Sequence, residues 1–176
     1  MTPHKAFVVL DVPEPYRTHI QFVRDQLKTV TAKLPVEITL AGSSGVGPIP
    51  ECTEIGLIRD EVERVGRLAR AFRMEFAGVG DFPGTGIFFL RPKERHPFDS
   101  LHAALASSRI PFTRSPFPYC PHCTLRVGPE VDPNVAERIR AIPVPSGEMM
   151  LDTLSVYAVD SRTPAVSLLL RTKLPE

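Results

Sequence analysis

Two short stretches hold side chains able to trade protons near neutral pH. Ser115 to Gly128 reads SPFPYCPHCTLRVG and carries His122 and Thr124 two positions apart. Alternate side chains on a strand share a face. The imidazole and the hydroxyl would therefore line one side, with Cys123 and Leu125 turned to the other. Val36 to Gly42, VEITLAG, repeats the pattern with Glu37 and Thr39 on one face and Ile38 and Leu40 on the other. HCTL thus aligns with EITL, with Glu37 standing where a second histidine would. The two stretches lie about half the chain apart, which suggests two similar halves facing each other across a groove.

The elements that must position these residues read as follows. Lys5 to Val12 is a buried strand, and a helix runs from Pro15 to about Ala32 with Ile20, Val23, Leu27 and Val30 inward. The EITL strand leads into a Gly/Ser/Pro loop over 42–50. Thr53 then caps a helix to about Arg70, with Ile55, Ile58, Val62, Val65 and Leu68 inward. A strand over 73–79, a turn over 80–84 and a return strand over 86–90 close the first half. In the second half, a helix over 96–108 precedes the HCTL strand. A short helix over 133–141 follows, then a pair of strands, 149–159 and 166–174, joined by a turn around Arg162 to Pro164. The order predicts an α+β fold in one domain, residues 1–176.

Bulk composition narrows the function. No apolar run approaches the roughly 18 residues of a membrane-spanning helix, and the apolar N-terminal segment is cut short by Asp11 and Pro13. Cytoplasm is the default location. A net charge of +1, with no basic half, argues against a grip on long nucleic acid and favours a small or end-on phosphate ligand. Three cysteines do not make a disulfide framework. Cys120 and Cys123 form a CPHC motif, but a strand follows it where thioredoxin-like chemistry needs a helix N-terminus. The pair also lacks a second zinc half-site, so these read as ordinary reduced thiols. Gly42 to Gly47, GSSGVG, is neither a P-loop nor a dinucleotide fingerprint; a GxxG backbone clamp is a weaker reading than a plain connection. His4, His19, His96 and His102 read as surface or capping residues.

With these stretches in view, the chain resembles the two-histidine phosphoesterases, the superfamily of 2′-5′ RNA ligases and 2′,3′-cyclic nucleotide phosphodiesterases. The resemblance runs through the N-terminal strand and helix, EITLAG, FPYCPHCTLRVG and the closing GEMMLDTLSVYAVD segment. It implies a bilobal fold: two pseudo-symmetric lobes, with antiparallel sheets flanking a central cleft and helices outside. It implies a monomer working by general acid–base chemistry, without metal or cofactor, on a small nucleotide or RNA end bearing a cyclic or 2′-5′ phosphate. Carried over by position, His122 is one acid/base, and Thr39 and Thr124 hold phosphate oxygens. Arg126, on the same strand face, could neutralise phosphate charge, and Tyr119 and Phe117 could stack a base.

Glu37 departs from the family pattern. A carboxylate about 4 Å from a phosphate oxygen costs about 1 kcal/mol in water and about 4 at an effective dielectric of 20. Three readings stay open. In the first, Glu37 is the general base and His122 the acid, in a cyclic phosphodiesterase. In the second, Glu37 pairs with protonated His122, leaving a degenerate nucleotide- or RNA-binding protein. In the third, the two ligate a metal, with a third ligand that the sequence does not show.

Overall fold

A computed structural model describes every residue except Ser161 and Pro164, together with the side chain of Thr31. Nine strands are described: β1 (Lys5–Asp11), β2 (Glu37–Ala41), β3 (Phe72–Met74), β4 (Phe76–Asp81), β5 (Phe88–Pro92), β6 (Cys123–Arg126), β7 (Met149–Leu151), β8 (Thr153–Val159) and β9 (Val166–Lys173). The helices are α1 (Tyr16–Gln26), α2 (Ile55–Leu68), α3 (His96–Ala106) and α4 (Pro133–Arg140).

The strands form a four-stranded sheet ordered β2-β1-β8-β9, a three-stranded sheet ordered β4-β5-β6, and a two-stranded link, β3-β7; every pairing is antiparallel. This is the bilobal α+β architecture that the sequence predicts. A repeat is visible as strand, helix and motif strand: β1-α1-β2, then β5-α3-β6. The closing strands of the halves are exchanged, however. β5, read from sequence as the return strand that closes the first half, instead opens the second repeat, so β4 from the first half joins it while β8 from the second joins β1. Each lobe is therefore built from both halves of the repeat.

Alternation explains the larger sheet. Ala6, Val8, Leu10, Ile38, Leu40, Leu154, Val156 and Ala158 lie buried on one face, each contributing roughly 1 to 3 kcal/mol of burial. Val9 pairs with Thr39 and Ser155, and Asp11 with Glu37, so the opposite face carries the polar side chains. A smaller cluster of Phe88, Ala136 and Ile139 seats α4 on the second lobe.

Some boundaries differ from the sequence reading. The first helix stops at Gln26 because Lys28 takes a left-handed backbone, φ 48°; a short 3-10 turn, Val30–Lys33, follows, and Val30 is exposed. Leu68 is likewise exposed at the end of α2. Thr53 does not cap α2: its hydroxyl donates to the Pro50 carbonyl at 2.8 Å and Glu54 takes the cap position. The strand read over 149–159 breaks at Asp152, so that β7 can pair with β3 and β8 with β1 and β9. Of the turn expected around Arg162 to Pro164, Pro164 lies outside the described residues.

Candidate active site

β2 and β6 are both sheet edges, and the two strands lie against each other. Side chains, rather than a strand ladder, stitch them together. Buried Arg24 of α1 donates through Nε to the Thr124 carbonyl at 2.9 Å, and through Nη1 to the carbonyls of Leu34 (2.8 Å) and Pro35 (3.1 Å), just before β2. The Tyr119 hydroxyl donates to the Thr39 carbonyl at 3.2 Å. The Glu37 backbone N–H is directed at Cys123 Sγ. These links hold the E-x-T and H-x-T strands as neighbours. An exposed strand edge usually recruits another strand; here both edges are covered by side chains instead.

Glu37 sits half-buried opposite Asp11, and the Thr39 hydroxyl donates to both Glu37 oxygens, at 3.1 and 3.0 Å. Burial pushes the Glu37 carboxyl up to about 7, and the Asp11 charge adds to that rise; the Thr39 hydrogen bond and the Arg24 charge oppose it. The group is therefore poised to carry a proton near neutral pH, which an ordinary glutamate is not.

His122 is 8% exposed, with its ring against Phe89 (centroids 4.9 Å apart) and edge-on to Phe82 (5.4 Å). Its Nδ1 lies 2.7 Å from the Cys120 carbonyl. A carbonyl can only accept, so Nδ1 carries the hydrogen, and in the neutral ring Nε2 keeps the lone pair. Burial pushes the imidazole below its ordinary value, partly offset by that hydrogen bond. Neutral His122 is a base through Nε2.

The other residues singled out by sequence meet different partners. Thr124 is partly exposed on β6, opposite Phe89 of β5. Arg126 Nη1 donates to the carbonyls of Gly86 (2.6 Å) and Pro129 (3.0 Å), which fastens its guanidinium to neighbouring turns. One face of Tyr119 is already covered by His102, parallel at 3.9 Å, while His102 Nδ1 binds the Leu40 carbonyl at 2.7 Å. Phe117 is 66% exposed and, with Tyr119, Arg114 and His102, lines an open hollow of about 740 Å³.

The glycine loop is a brace for the second motif. Gly45 N–H donates to the Phe117 carbonyl (2.9 Å), Ser115 N–H to the Gly45 carbonyl (3.1 Å) and Thr113 N–H to the Pro48 carbonyl (2.9 Å). Gly47 has φ 81°, and a Cβ there would lie 1.7 Å from the Thr113 carbonyl oxygen, so only glycine fits. The cysteines are all free; burial pushes Cys123 up to about 12 and also raises Cys120, which disfavours thiolate chemistry. Among the described residues, no three His, Cys, Asp or Glu side chains are grouped as metal ligands, and no helix is long and apolar enough to cross a membrane.

Sequence reasoning missed three contributors: Arg24, the Phe82–Phe89 wall behind His122, and Asp11. Arg24 left one trace, a cation one turn beyond Ile20 within the apolar stripe of α1. Asp11 closes a strand whose interior residues, Ala6 to Leu10, are all apolar. The phenylalanines gave no signal, since the hairpin's reach over His122 is tertiary.

The bilobal α+β fold, with the x-x-T-L strands β2 and β6 lying against each other, fits the two-histidine phosphoesterase superfamily. A family model of the 2′-5′ RNA ligase superfamily matches residues 12–163, and the chain belongs to that superfamily. Among solved structures, TT0787 of Thermus thermophilus is 18% identical, covers 97% of both chains and has a TM-score of 0.66. The E. coli protein LigT in apo form is 17% identical over 100% of both chains with a TM-score of 0.67. LigT complexed with 3′-AMP is 18% identical over 99% of both chains, with a TM-score of 0.67. No curated protein matches.

Proposed function

We propose that the protein is a 2′-5′ RNA ligase-like cyclic phosphodiesterase that hydrolyses a 2′,3′-cyclic phosphate or a 2′-5′ phosphodiester on a small nucleotide or an RNA end, as a monomer in the cytoplasm. Superfamily membership and the nucleotide complex of LigT support the ligand class. The observation that carries the reading is that Glu37, its carboxyl pushed up to about 7 by burial, opens β2, while His122, its imidazole pushed down by burial, immediately precedes the neighbouring β6.

The environments favour the reverse of one sequence reading, in which Glu37 is the base and His122 the acid. His122 Nε2 takes a proton from water or a ribose hydroxyl, and the attacking oxygen closes on phosphorus. Glu37, protonated, gives its proton to the leaving oxygen. Two titratable groups whose surroundings separate their roles are the usual mark of an acid–base pair. Thr39 is coupled to this. While Glu37 is ionised, the single Thr39 hydroxyl hydrogen is spent on the carboxylate. Once Glu37 carries a proton, its hold on Thr39 weakens and the Thr39 hydrogen can turn to a phosphate oxygen, leaving the Glu37 O–H for the leaving oxygen. Thr124 serves the phosphate from β6.

The Thr39–Glu37 bond also favours a second reading, a degenerate nucleotide binder, because an ionised Glu37 withholds Thr39 and repels the anion. Hydrolysis of a 2′,3′-cyclic nucleotide separates the two. The enzyme reading expects a bell-shaped kcat/KM profile whose falling limb lies near pH 7, lost activity in His122→Ala, and lower turnover in Glu37→His and Glu37→Gln. A silent wild type with a large gain in Glu37→His supports the binder and rejects the enzyme.

A further inference from the structure

Antiparallel register pairs Asp11 of β1 with Glu37 of β2, and the Asp11 charge acts on the Glu37 carboxyl. Like charges in that position destabilise a sheet, so the pair needs an electrostatic resolution. The two groups have unequal partners. Asp11 is met by the Ser155 hydroxyl at 2.7 Å, the Tyr157 hydroxyl at 3.2 Å, and Arg171, with Nε at 3.1 Å and Nη2 at 3.0 Å. Arg171 can only donate, and it also binds Ser155 (3.2 Å) and Tyr157 (3.0 Å), which locks the cluster. Glu37 has only the Thr39 hydroxyl on its oxygens among the described residues.

We propose that Asp11 is a positioning residue: held as the charged member of the cross-strand pair by Arg171, Ser155 and Tyr157, it keeps the proton on Glu37. The groups facing Glu37 from neighbouring elements are Asp11 on β1, Arg24 on α1, Cys123 on β6 and Tyr119 on the approach to β6. Arg24 favours the ionised form, and it also donates to Cys123 and to the carbonyls of Leu34, Pro35 and Thr124. Asp11 is the negative charge in register with Glu37, and it opposes Arg24. The role rests on the acid assigned to Glu37 above, but its test does not depend on turnover.

Asp11→Asn keeps the shape and an acceptor for Ser155 or Tyr157 while removing the charge. The carboxyl carbon of Glu37 is followed by NMR through a pH titration of the intact protein. The expected result is a midpoint about one pH unit lower than in wild type, still above the ordinary glutamate value because burial remains. Asp11→Ser, which also removes the charge, moves the midpoint the same way and serves if the Asn variant does not fold. A folded Asp11→Asn protein, or in its place a folded Asp11→Ser protein, with an unmoved Glu37 midpoint overturns the proposal. If the midpoint moves and no substrate is turned over, Asp11 keeps this role and the enzyme reading fails; if both hold, the falling limb of kcat/KM moves with the midpoint.

Discussion

Replacing Glu37 with glutamine removes a charge from a place that resists it and leaves the shape intact. The introduced amide can still accept the Thr39 hydroxyl through its oxygen. The folded carboxyl, at about 7 against an ordinary 4.5, binds more protons than the unfolded chain between those values. Folding stability from this group is therefore fully present below about pH 4.5 and falls as pH rises through 7. At 1.36 kcal/mol per unit, the gap implies a ceiling of about 3 kcal/mol at pH 8 and a little under ~1 at pH 5. Glu37 keeps part of its surface accessible, and solvent screening lowers the realised difference to about 1 to 2 kcal/mol. Urea unfolding of both proteins at pH 5 and pH 8 measures it. With a slope of about 2 kcal/mol per molar, the midpoint of Glu37→Gln relative to wild type should rise by about 0.5 to 1 M between the two pH values. A variant offset that is the same at both pH values refutes the reasoning, since it would mean that Glu37 is ionised without penalty.

Arg24→Met should lose about 3 kcal/mol or more in urea unfolding, because three main-chain carbonyls lose a buried cationic donor. Arg24→Lys should recover only part of it, as an ammonium lacks the planar fork. A Met variant within about 1 kcal/mol of wild type would show that the two motif strands are held by something else. Thiol labelling of the native protein should modify exposed Cys52 first, Cys120 slowly, and Cys123 only after unfolding. Formation of a Cys120–Cys123 disulfide under mild oxidation would contradict the inert reading of CPHC.

The site residues were legible to different depths. Glu37, Thr39 and Thr124 fall on strands β2 and β6 as read, because a strand's period of two writes its two faces into the residue order, while His122 stands just before β6. The cysteines of CPHC could be set aside because a strand pattern follows them. Phe117 reads from sequence as an aromatic and emerges exposed, but that Tyr119 is half covered by His102 depends on α3, a separate element. The first helix was read too long because the left-handed turn at Lys28 left no glycine as a marker.

By itself, then, the residue order determined the alternating strands, the two xxTL motifs half a chain apart, the helices between them and the presence of glutamate at position 37. Those are local properties, set by backbone periodicity and side-chain chemistry over a few neighbours. Tertiary structure decided that β4 and β8 change lobes, that the β2 and β6 edges meet, that Arg24 binds both approaches, and that Asp11 stands opposite Glu37. Proton affinity followed from the same source. A carboxyl or imidazole responds to the water it has lost and the charges brought beside it, and both are set by residues remote in the chain.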